Sequence, residues 1–285
     1  MVVLTGLLRP AVAATSIAGS LHNRAASISS GCSTTGPLSC SSNAAGTCCF
    51  EAPGGLILQT QFWDTDPETG PTDSFTIHGL WPDNCDGTFE EDCDPSRDYT
   101  DISTLLTEQG ATTTLDFMND FWLNDPDDGS NEELWEHEWA THGTCYSTLQ
   151  VDCLPSGSPK GAEAVAFFEQ VVTLFQTLPT YTWSVFLPSA LLIWKLIQGS
   201  RLTNQGITPS SSTTHTYAAL TAALEAESGG FAPQLECDGS DLSEVYWYFN
   251  LRGSVIDGDF EMITSPFTGS CPESGIKWLP KTIKN

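Results

Sequence analysis

The chain has 285 residues, 40% of them hydrophobic and 10% aromatic, which is enough to bury a sizeable core. Ten Lys and Arg against 36 Asp and Glu leave a formal net charge of -26. Nucleic-acid affinity normally comes from Lys and Arg displacing counterions, so this balance argues against a stoichiometric nucleic-acid-binding module at neutral pH. It does not exclude an enzyme with a local site working in acid, where Asp and Glu approach their pKa values of about 4.

Residues 1–18 are apolar and end in small residues, with Ala11-Val12-Ala13 as a cleavage site, although Arg9 and Pro10 interrupt the run. Residues 1–26 are therefore expected to be a signal peptide and pro-segment. The tract is too short to span a bilayer, and no stable membrane association is expected. Ten cysteines without a repeated C-x-x-C pair read as five disulfides in a secreted protein. No linker divides residues 27–285, which are expected to form one domain.

Residues 27–54 are rich in Ser, Gly and Cys, a loop stapled by disulfides. Residues 56–63, LILQTQFW, read as a buried strand. In 75–78 the alternation puts Phe75 and Ile77 on one side and Thr76 and His78 on the other, with Gly79 and Pro82 ending the strand. Residues 83–101 are acidic and turn-rich, and 114–123 have a helical pattern. After a loop at 124–130, Asn131 is the expected N-cap, with Glu132 and Glu133 suiting the helix dipole, of a helix running through about Cys145. Further helices are expected at 161–178 and 215–227, and strands return in 237–260. This order implies an α+β fold, a central antiparallel sheet with helices packed on it.

Three of the five histidines fall in two short segments, His78 in FTIHGLWP and His137 and His142 in LWEHEWATHGTC. At about 100° per residue, with His137 at 0°, Thr141 falls near 40°, Leu134 near 60°, Glu138 near 100° and His142 near 140°. One polar face thus offers two imidazoles, a carboxylate and a hydroxyl. A zinc-protease helix needs its histidines at i and i+4, whereas these are at i and i+5, so no metal is expected. A lone histidine is usually a satisfied core group. Two beside a glutamate, with a third on a nearby strand, can supply an acid and a base at one pH.

These two segments resemble the active-site segments of the ribonuclease T2 family. The resemblance extends to LQTQFWD at 58–64, PDNCDG at 82–87, EVYWYFNLRGSV at 244–255 and CPESGIKWLP at 271–280. It implies the pairs Cys32–Cys49, Cys40–Cys85, Cys48–Cys153, Cys93–Cys145 and Cys237–Cys271. It implies His142 as general base toward the 2′-hydroxyl of single-stranded RNA, His78 as general acid, His137 as phosphate holder and Glu138 as polariser. It further implies that Trp81 stacks a base, that Asp83 binds its polar edge, and that Gln61, Thr141, Leu134 and Phe89 contribute to substrate binding. DNA would be inert, no cofactor is implied, and a monomer is expected.

The family commonly carries lysine where Thr141 stands, and fungal members carry tyrosine and phenylalanine where Phe89 and Leu134 stand. Thr141 implies a slower enzyme, its hydroxyl donating a weaker hydrogen bond to the phosphoryl group. Residues 184–201, SVFLPSALLIWKLIQGSR, are an apolar insertion relative to similar sequences. Two readings apply, an added hydrophobic helix or a retained intron, of which the second is preferred. The alternative to an enzyme is a catalytically impaired secreted protein that acts by binding a partner, and Thr141 is its best support.

Overall fold

The computed structural model describes residues 28–29, 31–66, 68–180 and 205–281. The expected signal segment at 1–26 and the insertion at 184–201 lie outside the described residues.

Strands β1 (Leu56–Phe62) and β2 (Thr76–Asp83) are followed by helices α1 (Ile102–Glu108), α2 (Thr112–Phe121), α3 (Asn131–Thr141) and α4 (Ala162–Phe175). Strand β3 (Thr214–Thr216), helix α5 (Tyr217–Ser228) and strands β4 (Gln234–Asp238), β5 (Asp241–Arg252), β6 (Asp259–Ile263) and β7 (Ser274–Lys277) complete the described chain. The sheet runs β2-β1-β5-β7-β3, and β4 and β6 both pair with β5. All pairings are antiparallel except the single β5–β7 link, Asp241 to Lys277. This is the expected α+β class.

The two faces of the sheet do different things. Ile57, Ile77, Val245, Trp247, Phe249 and Leu251 point into the main core with Phe167, Phe168, Val171 and Phe175 of α4 and with Trp122, Trp135 and Trp139. Burying a side chain of this size yields about 1.5–3 kcal/mol, so this face supplies most of the driving force. Leu56, Leu58 and Tyr248 form a smaller cluster on the opposite face, with Trp81, Tyr246 and Ile263 against it.

Several boundaries differ from those expected. Strand β2 continues through Gly79 and Pro82 to Asp83. It is an edge strand, where a proline's missing N–H costs no ladder bond. A bulge sits in it, since Thr60 pairs with Gly79 and Gln61 with Ile77, leaving His78 as the extra residue. The N-cap of α3 is Ser130, one residue earlier than expected, in a capping box with Glu133. That helix ends at Thr141, not near Cys145, and a 3-10 turn, Gly143–Cys145, takes over. Helix α1 and strand β7 have no counterpart among the expected elements.

The five disulfides join the pairs that the resemblance implies: Cys32–Cys49, Cys40–Cys85, Cys48–Cys153, Cys93–Cys145 and Cys237–Cys271. Cys48–Cys153 closes the largest loop, with a sequence separation of 105. In the chain-entropy account a loop on the order of 100 residues contributes about 4.7 kcal/mol. No helix among the described residues is long and apolar enough to cross a membrane.

Candidate active site

On the small-cluster face of the sheet lies a cleft of about 550 Å³, lined by residues that include His78, Trp81, Asp83, Phe89, His137 and His142. The bulge in β2 lets His78 share this face with Trp81 and Asp83 of the same strand, and α3 supplies His137 and, at its C-cap, His142 from the side. His142 occupies the C-cap of α3, with φ -110° and ψ -47°, and its backbone N–H donates to Glu138 O.

Trp81 is the hub. The imidazole of His142 stacks on it at 4.7 Å and 22°, and that of His78 meets it edge-on at 4.8 Å. Its indole N–H donates to Glu138 Oε2 at 2.9 Å. Glu138 is fully buried, and its Oε1 makes no hydrogen bond but lies 3.5 Å from His78 Nε2. Glycine is required at position 79 for this approach, because a Cβ there would lie 1.7 Å from Glu138 Oε2.

The electrostatics separate the two histidines of α3. Burial, with repulsion from His78 and His137, pushes His142 down to about 3, so it is a neutral acceptor even in acid. Burial pushes Glu138 up to about 7, partly offset by His78 and by the Trp81 hydrogen bond. Below that pH its carboxyl carries a proton; the group is fully buried behind Trp81 and is not among the residues lining the cleft. Burial also raises Asp83 to about 7, giving the cleft a group that donates and accepts in acid. His137 is exposed, 6.1 Å from His142 between ring centroids.

Three expected substrate-binding residues are placed elsewhere. Gln61 is fully buried on the core face of β1, where its Oε1 accepts from Thr180 Oγ1. Leu134 lies in the main hydrophobic core, one turn before His137, and does not line the cleft. The Thr141 hydroxyl is committed to Asp92 Oδ1 at 3.2 Å and to His137 Nδ1 at 3.3 Å. Because it donates to Asp92, it accepts from the His137 N–H. Phe89 does line the cleft and is largely exposed.

The i, i+5 argument against a metal also needs correcting. One ligand atom from each of His137, Glu138 and His142 can be chosen so that all lie within 4.8 Å of one another. The helix stops at Thr141, so the splay calculated for a continuing helix does not apply.

Sequence reasoning missed Glu244, Tyr246, Gln234, Tyr248 and Phe267. Glu244 accepts from His78 Nδ1 at 3.0 Å, and Gln234, Tyr246, Tyr248 and Phe267 line the cleft. A signal for the β5 residues is present: 244, 246 and 248 share one face of a strand, and a carboxylate heading that row is out of place on an apolar surface.

A cleft with a neutral imidazole, a second imidazole and a buried carboxyl around one indole defines an acid–base centre suited to proton transfer. The description of the Ribonuclease T2 family matches residues 54–258. Ribonuclease Le2 of Lentinula edodes is 78% identical over 254 residues, covering 89% of this chain and 98% of that protein. Ribonuclease T2 of Aspergillus oryzae is 41% identical, covering 87% and 83%. The crystal structure of Actibind, a T2 ribonuclease, is similar with a TM-score of 0.77 at 41% identity, covering 88% of this chain and 98% of that one. The chain belongs to the ribonuclease T2 family.

Proposed function

We propose that the chain is a secreted endoribonuclease that cuts single-stranded RNA in acid by transferring phosphate to the neighbouring 2′-hydroxyl. The observation that carries this is the pairing of His142 and His78 against the two sides of Trp81 that contact them, above the buried Glu138. His142, neutral in acid, takes the proton from the 2′-hydroxyl. The 2′-oxygen attacks phosphorus, the bond to the 5′-oxygen breaks, and His78 Nε2 delivers a proton to that oxygen. His137 holds the phosphate, and the protonated Glu138 polarises the phosphoryl group from behind Trp81 as charge accumulates there. The 2′,3′-cyclic phosphate is then opened by water to a 3′-phosphate, with the histidine roles reversed.

The nucleophile belongs to the RNA, so DNA is inert, and no metal or cofactor takes part. Trp81 and Phe89 offer aromatic surface to a base and Asp83 binds its polar edge; stacking is tolerant of sequence, which gives low base specificity. The whole of 27–285 acts as one catalytic domain, as a monomer.

The test is digestion of yeast RNA at pH about 4.5 and about 7.5 in EDTA, comparing the wild type with His142→Ala. Acid-favoured, EDTA-resistant cleavage lost in the variant supports the mechanism. A disulfide-bonded wild type that does not cleave overturns it in favour of a partner-binding protein.

A further inference from the structure

His78 is held on three sides. Its ring stacks on Phe62 at 3.9 Å and 19°, meets Trp81 edge-on, and has its Nδ1 3.0 Å from Glu244 Oε2. The bulge that lets His78 share the cleft face with Trp81 also leaves it outside the β1–β2 register, so pairing between these two strands does not fix the imidazole's rotation. Glu244 comes from a different strand. It stands opposite Phe62 in the β1–β5 ladder, so the group that stacks the ring and the group that bonds its edge are adjacent across one pair.

A carboxylate only accepts, so this contact places a proton on Nδ1 and leaves Nε2 as the nitrogen that gains and loses one. Nε2 is also the nitrogen on the Glu138 side, 3.5 Å from Oε1. Tyr246 lies two residues along the same face of β5. Burial first, and the Glu244 charge beside it, push the Tyr246 phenol well up. Its ring leans on Trp81 with centroids 5.7 Å apart. Glu244 thus stands behind the proposed acid, with Tyr246 beside it on the same face of β5 and against Trp81.

We propose that Glu244 is a positioning residue for the leaving-group step, holding His78 in the tautomer and rotation that point Nε2–H at the departing 5′-oxygen. This rests on the assignment of His78 as the general acid. Glu244 is not among the residues that line the cleft. It acts on the step in which the proton bound to Nε2 moves to the oxygen as its bond to phosphorus breaks. In the hydrolytic second half, the same arrangement presents a bare Nε2 to the attacking water, with Nδ1–H still held. A carboxylate behind an imidazole is a recurrent means of fixing which nitrogen is reactive.

The decisive comparison uses two substrates, a dinucleoside monophosphate, whose leaving alkoxide needs a proton, and a nucleoside 3′-(4-nitrophenyl phosphate), whose leaving group does not. For Glu244→Ala, kcat on the dinucleotide is expected to fall about 100-fold, with KM within about threefold of wild type. On the nitrophenyl ester both constants should stay within about threefold. Glu244→Gln, which keeps an acceptor but not the charge, should fall between. In His78→Ala, adding Glu244→Ala should cost nothing more. Equal losses on both substrates, or no loss on the dinucleotide, would overturn the proposal.

Because an altered β5 could misfold, the wild type is also read directly. Long-range ¹⁵N–¹H correlation of its neutral imidazoles should show His78 protonated at Nδ1, and an Nε2–H tautomer would overturn the proposal without any variant. If instead His78→Ala cleaves dinucleotide at the wild-type rate, the acid assignment itself has failed, a result distinct from any obtained with Glu244 alone.

Discussion

The indole N–H of Trp81 donates to Glu138 Oε2 at 2.9 Å, so the aromatic wall of the cleft and its buried carboxyl are one hydrogen-bonded unit. Replacing that indole by a phenyl ring separates its two roles. Trp81→Phe keeps a stacking face but leaves Glu138 without this donor in a fully buried position. We expect kcat to fall about 10- to 100-fold with KM changed by less than about threefold, read by initial rates on a dinucleotide. Trp81→Ala should raise KM as well. A Trp81→Phe enzyme with unchanged kcat would disprove the link.

Gly79 is the second point at which Glu138 is constrained. A methyl group at this position would meet Glu138 Oε2 at 1.7 Å and Trp81 Nε1 at 2.7 Å. Glu138 has little room to yield, since it is fully buried. Gly79→Ala is therefore expected to lower kcat about 100-fold or more, because a displacement of about 1 Å in the proposed site has that scale of effect. Circular dichroism should show the sheet retained. Activity within threefold of wild type would contradict the geometry.

Thr141 offers a gain rather than a loss. Its hydroxyl is occupied by Asp92 and His137, so nothing at this position supplies positive charge to the phosphoryl oxygens. Thr141→Lys is expected to raise kcat, by up to about 100-fold, the scale on which a single electrostatic partner acts. Thr141→Val should instead weaken substrate binding, because His137 loses the acceptor of its N–H. An unchanged rate in Thr141→Lys would mean that the missing lysine does not limit this enzyme.

Stability should fall as pH rises toward neutrality. Burial raises Glu51, Glu138 and Asp83 to about 7 and Asp64 to about 6. For Glu51, hydrogen bonds from Ser147 and Thr148 only partly offset that burial. A folded pKa above the unfolded one contributes stability that is full below the unfolded value of about 4 and is lost as pH passes through about 7. His142, lowered to about 3, has the opposite sign and loses stability as pH falls from about 6.5 toward 3. Four groups oppose one, so Tm should drop by about 5–10 °C between pH 5 and pH 8, followed by calorimetry. A Tm that rises over this interval would refute the balance.

Much of the site is legible in the sequence because histidine is rare in this chain and its neighbours are local. His78, His137, Glu138 and His142 lie within two short segments, and the structure brings those segments together. What stays hidden depends on tertiary placement. Glu244 reaches His78 only across 166 residues, through the β1–β5 ladder. Gln61 is misplaced by the sequence because β1 reads as a uniformly buried run, which conceals that its odd-numbered residues face the core. Leu134 shares an arc with His137 on the wheel, but the cleft opens only beyond the next turn. The bulge at His78 leaves no trace in composition, yet it lets His78 and Trp81, three residues apart, line the same cleft. The cysteine pairs come from family likeness, since ten cysteines alone admit many connectivities.

The adjacent residues Cys48 and Cys49 lead in different directions, Cys49 back to Cys32 across 17 residues and Cys48 forward to Cys153 across 105. In chain order Cys32 and both neighbours come long before Cys153. Either neighbour can then capture Cys32, and only one capture is productive. A Cys32–Cys48 link formed early would have to be undone by thiol exchange before Cys48 could join Cys153.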